Sequence, residues 1–272
     1  MNITPPLKSL HGTAASDKQF LMKRLPIVLL GFMLCVFFGT SAVSADGPDS
    51  PTDKIRVLLV TGGHPFERSQ FFQLFETNSE ISVQEVEHTN LPPFLKSDAA
   101  THYDVLVLYD YWQDISEDMK ADFIARLKEG KGLVVLHHAL CSYQDWAEYR
   151  RIVGGRYYLK KDLVDGIAKE PSTYEHGRQF EIRVADPNHP VTQGVKDFPM
   201  RDETYKGFDM TTDAHPLLTT DDPESSEVIA WSKTYEAARV VFIQSGHDHV
   251  AWDNPNYQRL LHQAIRWVAK GP

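Results

Sequence analysis

Residues 55–63 read IRVLLVTGG, an apolar run broken only by Arg56 and closed by two glycines. A strand with one face in water alternates apolar and polar residues. A strand covered on both faces does not need to, and in α/β proteins such strands lie in parallel sheets. The chain repeats the device at Tyr103-Asp-Val-Leu-Val-Leu-Tyr109 and at Gly132-Leu-Val-Val-Leu136. Between these runs, Ile81 to His88 alternates like a further strand, and Ser69 to Asn78 carries Phe71, Phe72, Leu74 and Phe75 as a short helix would.

Ser116 offers an N-cap, Glu117 and Asp118 suit a helix N-terminus, and Met119, Phe123, Ile124 and Leu127 form an apolar stripe that Gly130 ends. Trp146, Tyr149 and Ile152 predict another helix before Gly154-Gly155. This βαβ rhythm over 55–155 predicts an α/β fold with a doubly wound parallel sheet. The later half differs. Phe180 to Ala185, Pro216 to Thr220, Val228 to Ser232 and Val240 to Gln244 are strand-like with few helices between them, and predict added, partly antiparallel strands. Asn256 to Ala269, with Leu260, Leu261, Ala264, Ile265 and Val268 at helical spacing, should close one face.

Upstream of the first strand the composition changes. Lys18, Lys23 and Arg24 precede the apolar run at 25–39, and Val43-Ser44-Ala45 is a small-residue cleavage pattern. Residues 1–45 read as a signal peptide cleaved near Ala45, residues 46–53 as a polar linker, and 54–272 as one domain. The expectation is export to the periplasm or beyond, with membrane contact only through this segment should it stay uncleaved. Cleavage would leave 227 residues (272 minus 45), a length that suits one large domain. They hold 24 Lys/Arg (28 less four) and 36 Asp/Glu (37 less one), a net charge of -12. An acidic chain with no basic run argues against a nucleic-acid partner. Cys141 would be its only cysteine, so no intrachain disulfide could staple the fold.

Ligands of open α/β sheets bind beyond the carboxyl ends of the strands. There the chain places His64 and Glu67, then Asp110-Tyr111-Trp112, then His137-His138 with Cys141, then His247-Asp248-His249 with Trp252. Three of these four strand ends carry histidine. Strand alternation predicts that only one of His137 and His138 faces the cleft. Gly62-Gly63 lacks the third glycine of a dinucleotide fingerprint and reads as a tight turn. Histidines with a carboxylate can hold zinc or another divalent cation, or act directly as general acid and base. Cys141 lies several residues beyond its strand, which is late for a nucleophile. Asp202 and Glu203 precede a predicted short strand, and one of them could supply a carboxylate to the cleft.

Taken together, Val60-Thr-Gly-Gly-His64, Gly132-Leu-Val-Val-Leu-His-His138, Gly154-Gly155, His189-Pro190, Asp202-Glu203-Thr-Tyr205 and Gly246-His247-Asp248 with Trp252 resemble the ThuA-like (trehalose utilisation) family over 54–270. The resemblance implies a flavodoxin-like, class I glutamine amidotransferase-like fold and a link to disaccharide catabolism. The amidotransferase chemistry itself is not expected, because Leu136-His137-His138-Ala139 stands where a nucleophilic cysteine would be. One departure concerns the turn before the last strand, Glu236-Ala237-Ala238-Arg239, where relatives often carry Gly-x-Gly-Arg.

The resulting expectation is an enzyme acting on a small-molecule carbohydrate. His64, His138, Glu203 and His247 line its cleft, with Asp248 orienting His247. Trp112, Tyr205 and Trp252 touch the sugar, and His64, His138 and His247 hold a divalent metal such as zinc. His249 is expected to be peripheral. The rival reading is a non-catalytic sugar-binding or scaffold module on the same fold. An enzyme should gather at least three of His64, His138, Glu203 and His247 at one point.

Overall fold

The computed structural model describes residues 54–271, so the expected signal peptide and linker lie outside the described residues. The first half alternates as predicted: β1 (Ile55–Gly62), α1 (Arg68–Glu76), β2 (Ile81–Glu87), β3 (Val105–Asp110), α2 (Glu117–Lys128), β4 (Gly132–Leu136) and α3 (Ala147–Val153). There follow β5 (Gly155–Arg156), β6 (Asp162–Val164), β7 (Ile167–Lys169), β8 (Thr173–Val184), β9 (Phe198–Lys206), β10 (Asp209–Met210), β11 (His215–Thr219), β12 (Val228–Tyr235) and β13 (Ala238–Ile243). The described chain ends with α4 (His249–Trp252) and α5 (Pro255–Val268).

One nine-stranded sheet runs in the order β2-β1-β3-β4-β13-β12-β11-β8-β9. The five strands from β2 to β13 pair in parallel, in flavodoxin-like order, and the remaining pairings are antiparallel. The apolar runs earn their burial on both faces. Val57, Leu59, Val107 and Val134 pack with Phe71 and Phe75 of α1 and Leu261 and Ile265 of α5. Their neighbours Leu58, Val60, Leu106 and Val135 pack on the other face with Phe123 and Leu127 of α2 and Ile152 of α3. Emptying one such position, as in Phe123→Ala, typically costs about 3–5 kcal/mol.

Local signals hold in detail. Ser116 caps α2 by accepting from Met119 N at 3.3 Å. Gly154 ends α3 in the left-handed region at φ 87°. At the unusual turn before β13, Glu236 takes φ 52°, a value that glycine adopts without strain and glutamate does not.

Two features set the site. First, β4 stops at Leu136. His137 takes φ 50° and opens a tight turn, His137–Cys141. Second, β9 is far from β4 in the strand order, yet Asp202 on β9 accepts from Gly246 N at 2.7 Å. The β8–β9 hairpin therefore folds back over the carboxyl ends of β4 and β13.

Candidate functional site

Three donor atoms converge where β4, β9 and β13 meet. His137 Nε2 lies 3.0 Å from Glu203 Oε2 and 3.2 Å from His247 Nδ1, and His247 Nδ1 lies 3.4 Å from the same oxygen. This is the one group of at least three His, Cys, Asp or Glu donors among the described residues with metal-binding spacing.

The ring of His137 is oriented from behind. Its Nδ1 faces the Gln244 carbonyl at 2.6 Å, and a carbonyl only accepts, so Nδ1 carries the proton. With Nδ1 committed to that carbonyl, Nε2 is the nitrogen turned toward the Glu203 carboxylate oxygen. The Tyr205 hydroxyl, 2.8 Å away, can donate to that nitrogen, but no hydrogen bond joins it to Glu203 unless the ring is charged. A proton on the imidazole or a cation among the three donors resolves the repulsion. The spacing suits the cation: four ligands about 2.0 Å from zinc stand roughly 3.3 Å apart.

Charges follow the same geometry. Burial would raise the Glu203 carboxyl, but hydrogen bonds and charge from His137 and His247 outweigh it and hold it well below the usual carboxylate range. The hydrogen bond to Glu203 raises His247 against the effect of burial. His176 adds a third histidine to the carboxylate, with Nδ1 3.0 Å from Glu203 Oε1.

Beside this cluster opens a cavity of about 200 Å³. All four residues expected at the cleft line it: His64, His138, Glu203 and His247, together with Tyr111, Tyr157, Tyr174 and Tyr205. His138 is set by its Nδ1 facing the Asp110 carbonyl at 3.3 Å. Its Nε2 is buried without a partner. Burial, then the His137 and His64 charges, push its pKa well below the ordinary value, so the ring is neutral. Cys141 also lines the cavity, but burial and the Glu203 charge push its thiol well up, which removes the thiolate a cysteine nucleophile needs.

The structure corrects several expectations. His137 and not His138 or His64 joins His247 in the donor cluster, because the strand ends before His137 and alternation no longer sorts the two rings. Asp248 does not orient His247; its carboxylate caps α4 by accepting from Val250 N at 2.9 Å, and Glu203 is the carboxylate that His247 meets. Trp252 is 1% exposed, packs on Phe71 and donates to the Gly246 carbonyl, so it supports the loop from behind and does not line the cavity. Trp112 is 63% exposed next to the cavity-lining Tyr111, at φ 45°. His249 is peripheral, paired with Glu67.

His176 was missed, although Gly177 was a usable signal. A glycine inside a strand often marks a bulge, and here the register shifts between Glu175 and Arg178, with Gly177 at φ 63°.

Behind the cavity, Asp110 is fully buried, and burial pushes its carboxyl up to about 7 despite hydrogen bonds that include the Ser142 hydroxyl at 3.2 Å. Folded Asp110 keeps its proton to higher pH than the unfolded chain, whose ordinary value is 3.8. Its contribution to stability is complete below that value and lost as pH rises to about 7. Asp110→Asn stays neutral throughout. Its stability relative to the wild type is expected to grow from about pH 4 to pH 8, by up to the order of 4 kcal/mol, read as a widening gap in melting temperature. A pH-independent difference between the two melting curves would contradict this account.

The fold and site define a flavodoxin-like α/β protein with a histidine–carboxylate cluster at the carboxyl ends of its strands. The chain belongs to the ThuA family, described as trehalose utilisation, whose sequence profile matches residues 56–268. Among solved structures it resembles a ThuA-like protein from Parabacteroides merdae at 20% identity and TM-score 0.67, covering 80% of this chain and 90% of that one. A ThuA-like protein from Bacteroides uniformis matches at 18% identity and TM-score 0.61, over 82% and 94% of the two chains. A protein described as cytoplasmic, from Salmonella typhimurium, matches at 13% identity and TM-score 0.56, over 78% and 98%. No curated protein matches the sequence.

Proposed function

We propose that this chain is an enzyme acting on a carbohydrate, and that His137, Glu203 and His247 hold a divalent cation, best zinc, at the cavity wall. The observation that carries the reading is the convergence of His137 Nε2, Glu203 Oε2 and His247 Nδ1, 3.0–3.4 Å apart, with the other nitrogen of His137 committed to the Gln244 carbonyl. Two histidines and a carboxylate with an open fourth position form a ligand set used by catalytic zinc, which acts as a Lewis acid and lowers the pKa of water.

The chain's own groups have separate tasks. The Gln244 carbonyl orients His137, and the Tyr205 ring stacks on its imidazole. Neutral His138 offers its free Nε2 to a substrate hydroxyl as a hydrogen-bond acceptor. Tyr111, Tyr157 and Tyr174 give the cavity aromatic faces on which the C–H side of a sugar ring can stack. The family's description as trehalose utilisation supports sugar as the substrate class.

Elemental analysis of the purified chain tests the reading. Close to one zinc per chain is expected in the wild type and in His138→Ala, and about none in His137→Ala. Zinc that depends on His138 and not on His137, or no zinc in the wild type, overturns it. Sugar binding without turnover in the zinc-loaded protein would instead mark a binding module.

A further inference from the structure

The donor cluster has a second side. A separate cavity of about 420 Å³ shares His176, Glu203 and His247 with the aromatic one, and adds Gly177, Arg201, Asp202 and Asp248. The three shared residues form a partition between an aromatic lobe and a charged lobe.

Arg201 is unlike every other arginine described. Of the twelve in residues 54–271, the other eleven each donate a side-chain hydrogen bond to a protein oxygen, and Arg201 alone makes neither a hydrogen bond nor an ion pair through its side chain. The chain has 37 acidic residues against 28 basic ones, so carboxylates are not scarce. Arg201 is an exposed residue at this cavity. It sits on β9 opposite Gln179, and its Nη2 lies 3.6 Å from where a Cβ on Gly177 would stand, over the bulge that carries His176. A glycine at that point lets the guanidinium lie close over the backbone. Asp248, in the same lobe, makes no ion pair with Arg201 and uses Oδ1 to accept from Val250 N.

We infer that the charged lobe binds an anionic substituent of the ligand, a carboxylate or a phosphate, with Arg201 as its partner. The substrate class becomes an acidic sugar. Its ring occupies the aromatic lobe, and its acidic group crosses the His176–Glu203–His247 partition to the guanidinium. A planar guanidinium fits either oxyanion through paired N–H donors. The inference builds on the proposed carbohydrate function, and the cation would add to the attraction for the anion. The contribution of Arg201 does not depend on that cation.

The test is calorimetric titration of the purified full chain and of Arg201→Ala with glucose, glucuronate and glucose 6-phosphate, with zinc content measured in both proteins. The wild type is expected to bind one of the two acidic sugars at least about tenfold more tightly than glucose. Whichever it prefers identifies carboxylate or phosphate as the natural group. Arg201→Ala is expected to lose about tenfold to a hundredfold of that affinity, the worth of charge-assisted hydrogen bonds, with its zinc content unchanged. Equal binding of neutral and acidic sugars, a preference that survives in Arg201→Ala, or no binding of any of the three overturns the inference. The two readings can fail separately. A zinc-free wild type that still prefers the acid through Arg201 sinks the cation and keeps this site, whereas a zinc-bearing chain with no preference does the reverse.

Discussion

Glu203→Gln is expected to weaken zinc binding by at least about a hundredfold and to abolish zinc-dependent turnover. Loss of a residue that merely orients a ligand already costs about tenfold to a hundredfold. Glu203 is a donor itself and the only carboxylate in the cluster. The amide keeps the size of the side chain and removes its charge, leaving two neutral imidazoles to hold the cation. It also breaks the contacts to His137, His176 and His247 at once. Metal titration of the purified variant reads the effect directly, and near-wild-type affinity would exclude Glu203 as a ligand.

The same substitution should change the acid response of the metal-free protein. Glu203 is held below its ordinary value of 4.5, so its contribution is present above that value and lost as pH falls through the folded pKa. His247 is raised above 6.5, so its contribution is full below that value and lost as pH rises. The pair stabilises most between these limits. The stability gap between metal-free wild type and Glu203→Gln should therefore peak near pH 5–6 and narrow on either side.

The parallel half of the fold was legible because burial on both faces leaves a mark in composition. A run such as Val57 to Val60 has few other uses, and the capping serine and stop glycine set the limits of α2. The cleft was legible for a related reason: polar residues directly after apolar strands lie at the sheet's carboxyl edge. What the sequence hid was the pairing across the cleft. His137 looked interchangeable with His138, and only a backbone turn at φ 50° separates their roles. Glu203 appeared to precede a short strand but lies inside the nine-residue β9, and its approach to His247 depends on a hairpin folding back from the far side of the sheet. Asp248 misled because it neighbours His247 in sequence, whereas helix capping claims its carboxylate.

The acid beside Glu203 does different work, and its loss should be almost as costly. Asp202 is fully buried and points away from the cavity's aromatic lobe, toward the backbone of the Gly246-His247 turn. Its oxygens accept from Gly246 N at 2.7 Å, His247 N at 3.1 Å and Glu203 N at 2.9 Å. These bonds tie β9 to the end of β13, so Asp202 sets the distance between the proposed ligands Glu203 and His247. The turn has little freedom to compensate. Gly246 takes φ 126°, and a Cβ there would meet the Tyr257 hydroxyl at 2.4 Å, so the backbone already runs against the core. In Asp202→Asn one oxygen becomes an NH₂ group facing a backbone N–H. A buried donor without an acceptor costs about 1–3 kcal/mol, and the turn can relieve it only by moving His247. The expected result is a lower melting temperature together with zinc affinity reduced about tenfold to a hundredfold. Circular dichroism should confirm that the fold persists under the binding conditions. A purely structural Asp202 would lower the melting temperature and leave zinc affinity unchanged, so the affinity of the folded variant separates the two roles.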